Sequence, residues 1–305
     1  MSRTLYLHIG LPKTGSTFLQ RQVFPALDEL FVSSMPEDTY FRGNGARLFE
    51  SIFSRSDTIW HHHADTLLDQ LLGPGWRSDQ RSVLLSDEAI GRSTSRQALC
   101  AGHLAGMKAA LVARGFDRIK LLCLLRRQDH WLASHYVQVS DRRRDPGQTD
   151  FEKLVRRISD PQEERFTFGA LLDYASTYSA IADVLGPENV FIAPMEWFGS
   201  NTGAIVHLLS DWLDRSIDAS LLDSRKSENV RKSADGSWNL RRAGLRQRAL
   251  ASLLRRSSRI RLDDALSAAI LEVYRDSNAH LEKLAGLDLR PAGYHVDRGG
   301  FSTTR

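Results

Sequence analysis

Short apolar runs, separated by long stretches of helical periodicity, dominate the pattern of the chain. The runs are nearly continuous in apolar residues, which is typical of strands in a parallel sheet that is covered on both faces. The longer stretches place apolar residues three or four positions apart, as one face of a helix requires. The predicted strands span residues 5–9, 83–85, 119–125 and 190–193, and the clearest predicted helices span residues 99–112, 168–185 and 263–284.

The alternation of strands and helices predicts an α/β fold. We expect three layers, in which a central, mainly parallel sheet lies between helices on both faces. Ligands of such sheets bind at the carboxyl ends of the strands. The loops that follow Ile9, Leu85 and Leu125 are therefore expected to converge on one site.

Composition supports an ordered protein. The chain has 305 residues, of which 42% are hydrophobic and 26% are charged, enough to bury a core. We expect one domain over residues 1–298, with a helical insertion around 40–77 and a loose tail over 299–305. The sequence shows neither a secretory signal nor an apolar run of membrane-spanning length. Two cysteines, Cys100 and Cys123, are too few for a disulfide framework, so a reducing, cytoplasmic compartment is expected.

The stretch HIGLPKTGST, which begins at position 8, follows the first predicted strand and precedes a helical pattern. In this context the backbone N–H groups of the loop and of the helix start bind anions. Gly10 and Gly15 have the spacing of a P-loop, but Ser16 stands where ATPases have lysine, and the only lysine of the loop is Lys13. The strand at 119–125 ends in arginines, not in an acidic partner for a metal-bound triphosphate. The pattern therefore disfavours a P-loop kinase or NTPase.

The motif PKTGST resembles the 5′-phosphosulfate-binding loop of the sulfotransferases, which use 3′-phosphoadenosine 5′-phosphosulfate (PAPS). The resemblance implies a kinase-like α/β fold and a reaction that needs no metal. It also implies that Lys13 lies against the oxygen that bridges phosphorus and sulfur, where it would neutralise the charge that develops as the S–O bond breaks. The loop residues that the resemblance assigns to the cofactor are Pro12, Lys13, Thr14, Gly15, Ser16 and Thr17.

A second motif, LLCLLRRQDHWLASHY, resembles the 3′-phosphate site of the same family. There, an arginine at a strand end and a serine in the next helix hold the phosphate, and the matching residues are Arg126 and Ser134. Arginine offers a planar, bidentate fork for a phosphate. Arg127 is either a second ligand or a solvated neighbour, and Asp129 is a plausible N-cap of the helix.

The proton of an acceptor hydroxyl needs a base. The second predicted strand, at 83–85, is followed by SDEAIG, and the resemblance assigns the base to Glu88 and a sulfate-side donor to Ser86. The alternative is that Glu88 or Asp87 caps the next helix, because negative charge is favourable there.

Weaker similarities lie further along the chain. The stretch NVFIAPMEWF resembles a late strand of the family that ends in an acidic residue, here Glu196, and YRDSNAHLEKLAGLDL resembles the C-terminal helices of bacterial carbohydrate-type sulfotransferases. These enzymes commonly close the nucleotide site with a basic loop. The candidates for this loop are Arg231, Lys232 and Ser233, with a solvated surface loop as the alternative.

Two other features of the sequence are candidate sites. Three adjacent histidines, His61, His62 and His63, cannot all face one ion on a helix, so we expect surface residues, with contact between one of them and the acceptor as the alternative. Residues 240–262 hold eight arginines and no acidic residue. A helix with a charged outer face is the simpler interpretation, and weak contact with anionic acceptors or membrane headgroups is the alternative. Nucleic acid is disfavoured, because aromatic residues are not interleaved with the basic ones.

These patterns together predict a PAPS-dependent sulfotransferase. The expected reaction is an in-line transfer to a hydroxyl or amine of a carbohydrate or glycoconjugate, with Glu88 as base and Lys13 on the leaving phosphate. Its product would be adenosine 3′,5′-bisphosphate. The alternatives are a P-loop kinase or NTPase, and a non-catalytic polyanion-binding protein on the same fold.

Overall fold

The computed structural model of the chain divides into two units. The first comprises Met1–Arg126 and Tyr174–Glu228, and the second comprises Arg127–Asp173 and Asn229–Arg305. The expectation of a single domain over residues 1–298 stays a prediction. The residues that the structure describes are 3–33, 51–73, 75–93, 96–158, 171–223, 236–241 and 258–296.

A five-stranded parallel sheet forms the centre of the first unit. Its strands are β1 (Thr4–His8), β2 (Phe31–Ser33), β3 (Val83–Ser86), β4 (Arg118–Leu125) and β5 (Val190–Pro194). Their order in the sheet is β2-β3-β1-β4-β5, and every neighbouring pair is parallel. The predicted fold class is confirmed, and each of the four predicted strands agrees with the structure to within one residue at either end.

Helices cover both faces of this sheet. On one face Tyr6 and Leu122 pack against Phe24 and Trp212 in an apolar cluster. Because side chains alternate along a strand, Leu7 faces the opposite side, where it is also fully buried. The helical segments of this unit are α1 (Ser16–Phe18), which continues as a π turn (Leu19–Val23) and a 3₁₀ turn (Phe24–Ala26), then α2 (Ile59–Leu72), α3 (Glu88–Ser93), α4 (Gln97–Val112), α7 (Tyr174–Leu185), α8 (Trp197–Ser200), α9 (Thr202–Leu213) and α10 (Ser220–Asp223).

Two predictions for this unit need correction. The predicted helix at 168–185 is interrupted, because Leu172 and Asp173 are not helical and α7 starts at Tyr174, while residues 168–170 lie outside the described part. The strand β2 was not predicted, since its three residues are too short to show a pattern. Helix α2 lies within the predicted insertion at 40–77, of which residues 40–50 and residue 74 lie outside the described part of the chain.

The second unit is helical with a small sheet. Helix α5 contacts α11, and α11 contacts α6 and α12. The predicted helix at 263–284 is two helices, because the backbone leaves helical geometry at Tyr274 (φ −102°, ψ 7°). Asp263 caps the first of them by accepting a hydrogen bond from the Leu266 N–H at 2.9 Å. The elements are α5 (Gln128–Val139), α6 (Gln148–Ile158), α11 (Asp264–Val273), α12 (Arg275–Ala285) and the antiparallel strands β6 (Ser237–Asn239) and β7 (Arg259–Arg261).

The arginine-rich stretch at 240–262 is described only in part, and its described end differs from the helix expected there. Its end forms β7, in which Arg259 and Arg261 are exposed and Ile260 is buried. Residues 242–257 lie outside the described part, as does the predicted tail at 299–305. Within the described residues, no helix is both long enough and apolar enough to span a membrane.

Candidate active site

The loop between β1 and α1 has the strand–loop–helix geometry that the sequence predicts. Lys13 and Gly15 adopt left-handed backbone conformations, with φ of 72° and 91°. Such a conformation is uncommon for a residue other than glycine and costs about 1–3 kcal/mol, so it persists where the surrounding structure enforces it. Strain of this kind clusters at functional sites, which makes Lys13 the first functional candidate on structural grounds.

The hydroxyl groups of the loop have different roles. Thr14 is fully buried, and its Oγ1 donates to the carbonyl of Leu11 at 2.6 Å, so its proton closes the loop on itself. Ser16 is also fully buried, and among the described residues its Oγ has no hydrogen-bond partner. A buried hydroxyl without a partner is costly. The Ser16 hydroxyl therefore fits an anionic ligand oxygen, and the N–H groups at the start of α1 add donors of the same kind.

Arg126, the predicted 3′-phosphate ligand, lies at the end of β4 beside this loop. Its Nη1 donates to the backbone carbonyl of Lys13 at 3.0 Å. The Tyr174 hydroxyl donates in turn to the carbonyl of Arg126 at 2.7 Å. The bond to the Lys13 carbonyl holds the half-buried guanidinium against the loop.

The end of β3 lies beside the same loop. His8 and Ser86 are register partners in the sheet, and the Asp87 N–H donates to the carbonyl of His8 at 3.0 Å. Helix α3 then begins at Glu88, which is half-buried, whereas Asp87 is buried. Both carboxylates thus follow the carboxyl end of a strand that pairs with β1, where the sequence predicts the base.

Helix α3 also packs closely on the loop. A Cβ atom at Gly91 would overlap the carbonyl oxygen of Gly10, so only glycine allows this approach. The Cβ of any residue at Gly10 would overlap Oγ of Ser16. Gly91 therefore allows α3, which begins with Glu88, to pack against the loop, and Gly10 leaves room for the Ser16 hydroxyl within the loop.

A buried polar cluster beneath the loop was not predicted. The ring of His8 is fully buried, and its Nδ1 lies 2.7 Å from Oγ of Ser86. Gln20, in the π turn, donates from Nε2 to the same oxygen at 2.9 Å. Burial lowers the pKa of the His8 imidazole to about 3, so the ring is neutral near pH 7. The sequence does show a histidine at the end of an apolar strand. It does not show the partners of that histidine, because they depend on the register of the sheet.

The other predicted residues have mixed outcomes. Ser134 lies in α5 of the second unit and is buried, so its role with Arg126 stays a prediction. Asp129 is not the N-cap, because α5 begins at Gln128. Arg127 is not simply a solvated neighbour, because its Nε and Nη2 donate to the two carboxylate oxygens of Asp129. The predicted Arg231, Lys232 and Ser233 lie outside the described residues.

The histidine triplet lies on the surface. The side chains of His61, His62 and His63 are all exposed on α2. In the described part of the chain, no group of three or more His, Cys, Asp or Glu side chains is arranged to hold a metal ion. The interpretation of the triplet as surface residues is confirmed.

The comparisons with known proteins rest on structure. No protein-family model and no curated protein matches the sequence. A crystal structure of a sulfotransferase from Alicyclobacillus acidocaldarius matches over 95% of this chain and 99% of its own, with a TM-score of 0.54 and 16% identity. The sulfotransferase domain of the Synechococcus PCC 7002 olefin synthase (TM-score 0.41, 14% identity, 94% and 96% covered) and that of the curacin biosynthetic pathway (0.37, 12%, 93% and 98%) are more distant. The first match establishes that the chain has the sulfotransferase fold.

Proposed function

We propose that this chain, which has the fold of a sulfotransferase, moves a sulfuryl group from PAPS to a hydroxyl or amine of a carbohydrate or glycoconjugate. The observation that carries the proposal is the loop after β1. It combines a lysine in a left-handed conformation with a fully buried Ser16 hydroxyl that has no partner among the described residues. A cation and a buried donor at one strand–helix junction suit a bound anion.

The residues of the loop fit a phosphate ester. When bound, PAPS supplies the sulfuryl group and leaves as adenosine 3′,5′-bisphosphate. The hydroxyl of Ser16 and the N–H groups of Gly15, Ser16 and Thr17 would hold its 5′-phosphate. The amine of Lys13 would stabilise the charge that grows on the leaving phosphate, which is the type of stabilisation that contributes most in many enzymes.

Arg126 is the proposed ligand of the 3′-phosphate, with Ser134 as the partner that the sequence predicts. The position of Arg126 supports this role, because its guanidinium already lies against the loop through the carbonyl of Lys13. A guanidinium carries five N–H donors in a planar, fixed fork, and this geometry matches the oxygens of a phosphate.

Glu88 is the proposed base. It begins α3 directly after the end of β3, and α3 packs against the loop through Gly91 and Gly10. A carboxylate at this edge would take the proton of an acceptor hydroxyl as its oxygen bonds to sulfur. The carbohydrate class of acceptor is supported by the sequence similarity of residues 274–289 alone.

Transfer of labelled sulfate tests this proposal. The purified chain is incubated with ³⁵S-labelled PAPS and a panel of glycans, with and without chelator, and in parallel with Mg²⁺ and γ-labelled ATP. We expect label on a glycan from PAPS, and no transfer from ATP. Transfer from ATP alone would establish a kinase. Binding of polyanions without any transfer would establish the non-catalytic alternative.

A matched pair of variants measures the contribution of the Lys13 amine to sulfate transfer. Lys13→Gly removes the amine and relieves the left-handed backbone, whereas Lys13→Ala removes the amine and keeps the strain. We expect both variants to lose sulfate transfer. Full activity in Lys13→Gly would mean that the amine of Lys13 takes no part in the transfer.

A further inference from the structure

The hydroxyl of Ser86 is the meeting point of the buried cluster beneath the loop. Ser86 ends β3 and is 6% exposed, and the base proposed above follows two positions later. Its oxygen lies 2.7 Å from Nδ1 of His8 and 2.9 Å from Nε2 of Gln20. A serine hydroxyl has one proton and two lone pairs, so the direction of its proton depends on what these neighbours donate.

Gln20 occupies one of the two lone pairs. An amide nitrogen only donates, so the Gln20 contact is a hydrogen bond into the serine oxygen. Gln20 reaches β3 from the π turn, which widens the helix after the loop. Turns of this type are rare and occur frequently at functional sites.

The position of the proton on the His8 ring decides whether the second lone pair of Ser86 is also occupied. The ring is fully buried and neutral, so it has one N–H, on Nδ1 or on Nε2. Among the described residues, Nε2 has no hydrogen-bond partner. A proton on Nε2 would leave a buried N–H without an acceptor, and orphaned N–H groups are rarer than unsatisfied acceptors. A proton on Nδ1 instead makes a hydrogen bond to Ser86 and leaves only a lone pair on Nε2.

We infer that His8, protonated on Nδ1, and Gln20 are positioning residues that fix the Ser86 hydroxyl as a hydrogen-bond donor to the transferred sulfuryl group. Both lone pairs of Ser86 are filled by these neighbours, so its own proton must be donated elsewhere. Accepting two hydrogen bonds polarises the O–H and strengthens it as a donor. The sulfuryl oxygens carry negative charge and are the acceptors that such a donor suits.

The inference rests on the proposed function where it names the sulfuryl group as the partner of the Ser86 proton. The tautomer of His8 does not depend on that function. Nitrogen NMR of the ¹⁵N-labelled wild-type protein at neutral pH reads the tautomer directly, because protonated and unprotonated ring nitrogens resonate far apart. A proton on Nδ1 of His8 is expected. A proton on Nε2 would overturn the inference, whatever the protein catalyses.

Three variants test the consequence for transfer. Ser86→Ala and His8→Phe should each lower kcat by about ten- to a hundredfold, the value of a hydrogen bond to a charged group. Affinity for adenosine 3′,5′-bisphosphate, which lacks the sulfuryl group, should be unchanged in calorimetry. His8→Asn can place an amide N–H near the position of Nδ1 and should recover part of the lost kcat.

Two results separate the possible failures. Equal losses of kcat and of bisphosphate affinity in His8→Phe would mean that the ring only supports the loop, which overturns the positioning role. If the wild-type protein transfers no sulfate while Nδ1 is protonated, the proposed function fails and the assignment of Ser86 as a donor stands.

Discussion

The guanidinium of Arg126 and the backbone carbonyl of Lys13 are joined by a hydrogen bond of 3.0 Å. The bond connects the end of β4 to the loop after β1, and the Tyr174 hydroxyl donates to the backbone carbonyl of Arg126. One side chain thereby supports the loop and lies where the sequence motif predicts a phosphate ligand. The two roles can be separated by nucleotide affinity.

Arg126→Ala should weaken the binding of adenosine 3′,5′-bisphosphate more than the binding of adenosine 5′-monophosphate. Hydrogen bonds to a charged group contribute about 1.5–3 kcal/mol, so we expect at least about a tenfold loss for the bisphosphate in calorimetry. Arg118→Ala, at the opposite end of β4, is the matched control. Equal losses for the two nucleotides would show that Arg126 supports only the loop.

Glu88→Gln should lower kcat by about 10²–10⁴-fold, because a neutral amide cannot take a proton. The thermal midpoint should change little, since glutamine keeps the size of the side chain. Asp87→Asn, one position earlier, is the comparison. If Glu88→Gln instead lowers the midpoint and leaves kcat intact, the carboxylate stabilises the start of α3 and another group is the base.

Gly91→Ala should disturb the loop although it raises helix propensity. The new Cβ would overlap the carbonyl oxygen of Gly10, and overpacking of this kind costs about 1–3 kcal/mol. Gly203→Ala in α9 is the control, because a Cβ there meets nothing within 4 Å and should stabilise by up to about 1 kcal/mol. Denaturant unfolding of both variants, with bisphosphate affinity, measures the difference. Equal stability changes would mean that α3 yields to the added methyl group.

His8 should make folding sensitive to acid. Burial holds its folded-state pKa at about 3, whereas an unfolded histidine binds a proton below about 6.5. The free energy of unfolding should therefore be unaffected by His8 above pH 6.5 and fall by about 1.4 kcal/mol per pH unit below it, until pH 3. Denaturant unfolding of wild type and His8→Asn between pH 4 and 7 isolates this slope from the other histidines. Identical slopes would contradict a neutral, buried ring.

Asp129 should stabilise the second unit. Burial itself favours the neutral acid, but the hydrogen bonds from Arg127 hold the pKa of this carboxyl below its usual value. Ser267 also donates to it. Asp129→Asn should cost about 2–4 kcal/mol, less than a fully buried pair because Arg127 keeps partial access to water. Glu272→Gln, which breaks the exposed pair with Arg275, should cost under about 1 kcal/mol in the same unfolding assay. If the two variants lose similar unfolding free energy, burial does not strengthen the ion pair of Asp129.

The sheet could be predicted because its strands are buried on both faces. Continuous apolar runs such as β4 need no tertiary information to be recognised. The loop could be predicted as well, because glycine spacing and lysine position are properties of the sequence. Strand β2 could not, since three residues carry no period.

The features that escaped prediction depend on three-dimensional proximity. The contact of His8 with Ser86 depends on the register of β1 and β3, and that of Gln20 depends on a π turn. The break at Tyr274 is invisible in sequence, because no glycine or proline interrupts the apolar pattern there. No sequence pattern singles out Gly91. The need for glycine at this position is visible only in the close contact between α3 and Gly10.

The burial of the two cysteines allows the protein to be labelled at a chosen position. Cys100 and Cys123 are both buried, and burial raises the pKa of the Cys123 thiol to about 12. Thiolates, not thiols, react with maleimides. A cysteine introduced at the exposed Val112 would therefore accept a fluorophore selectively, so site-specific labelling needs no prior removal of the native sulfur atoms.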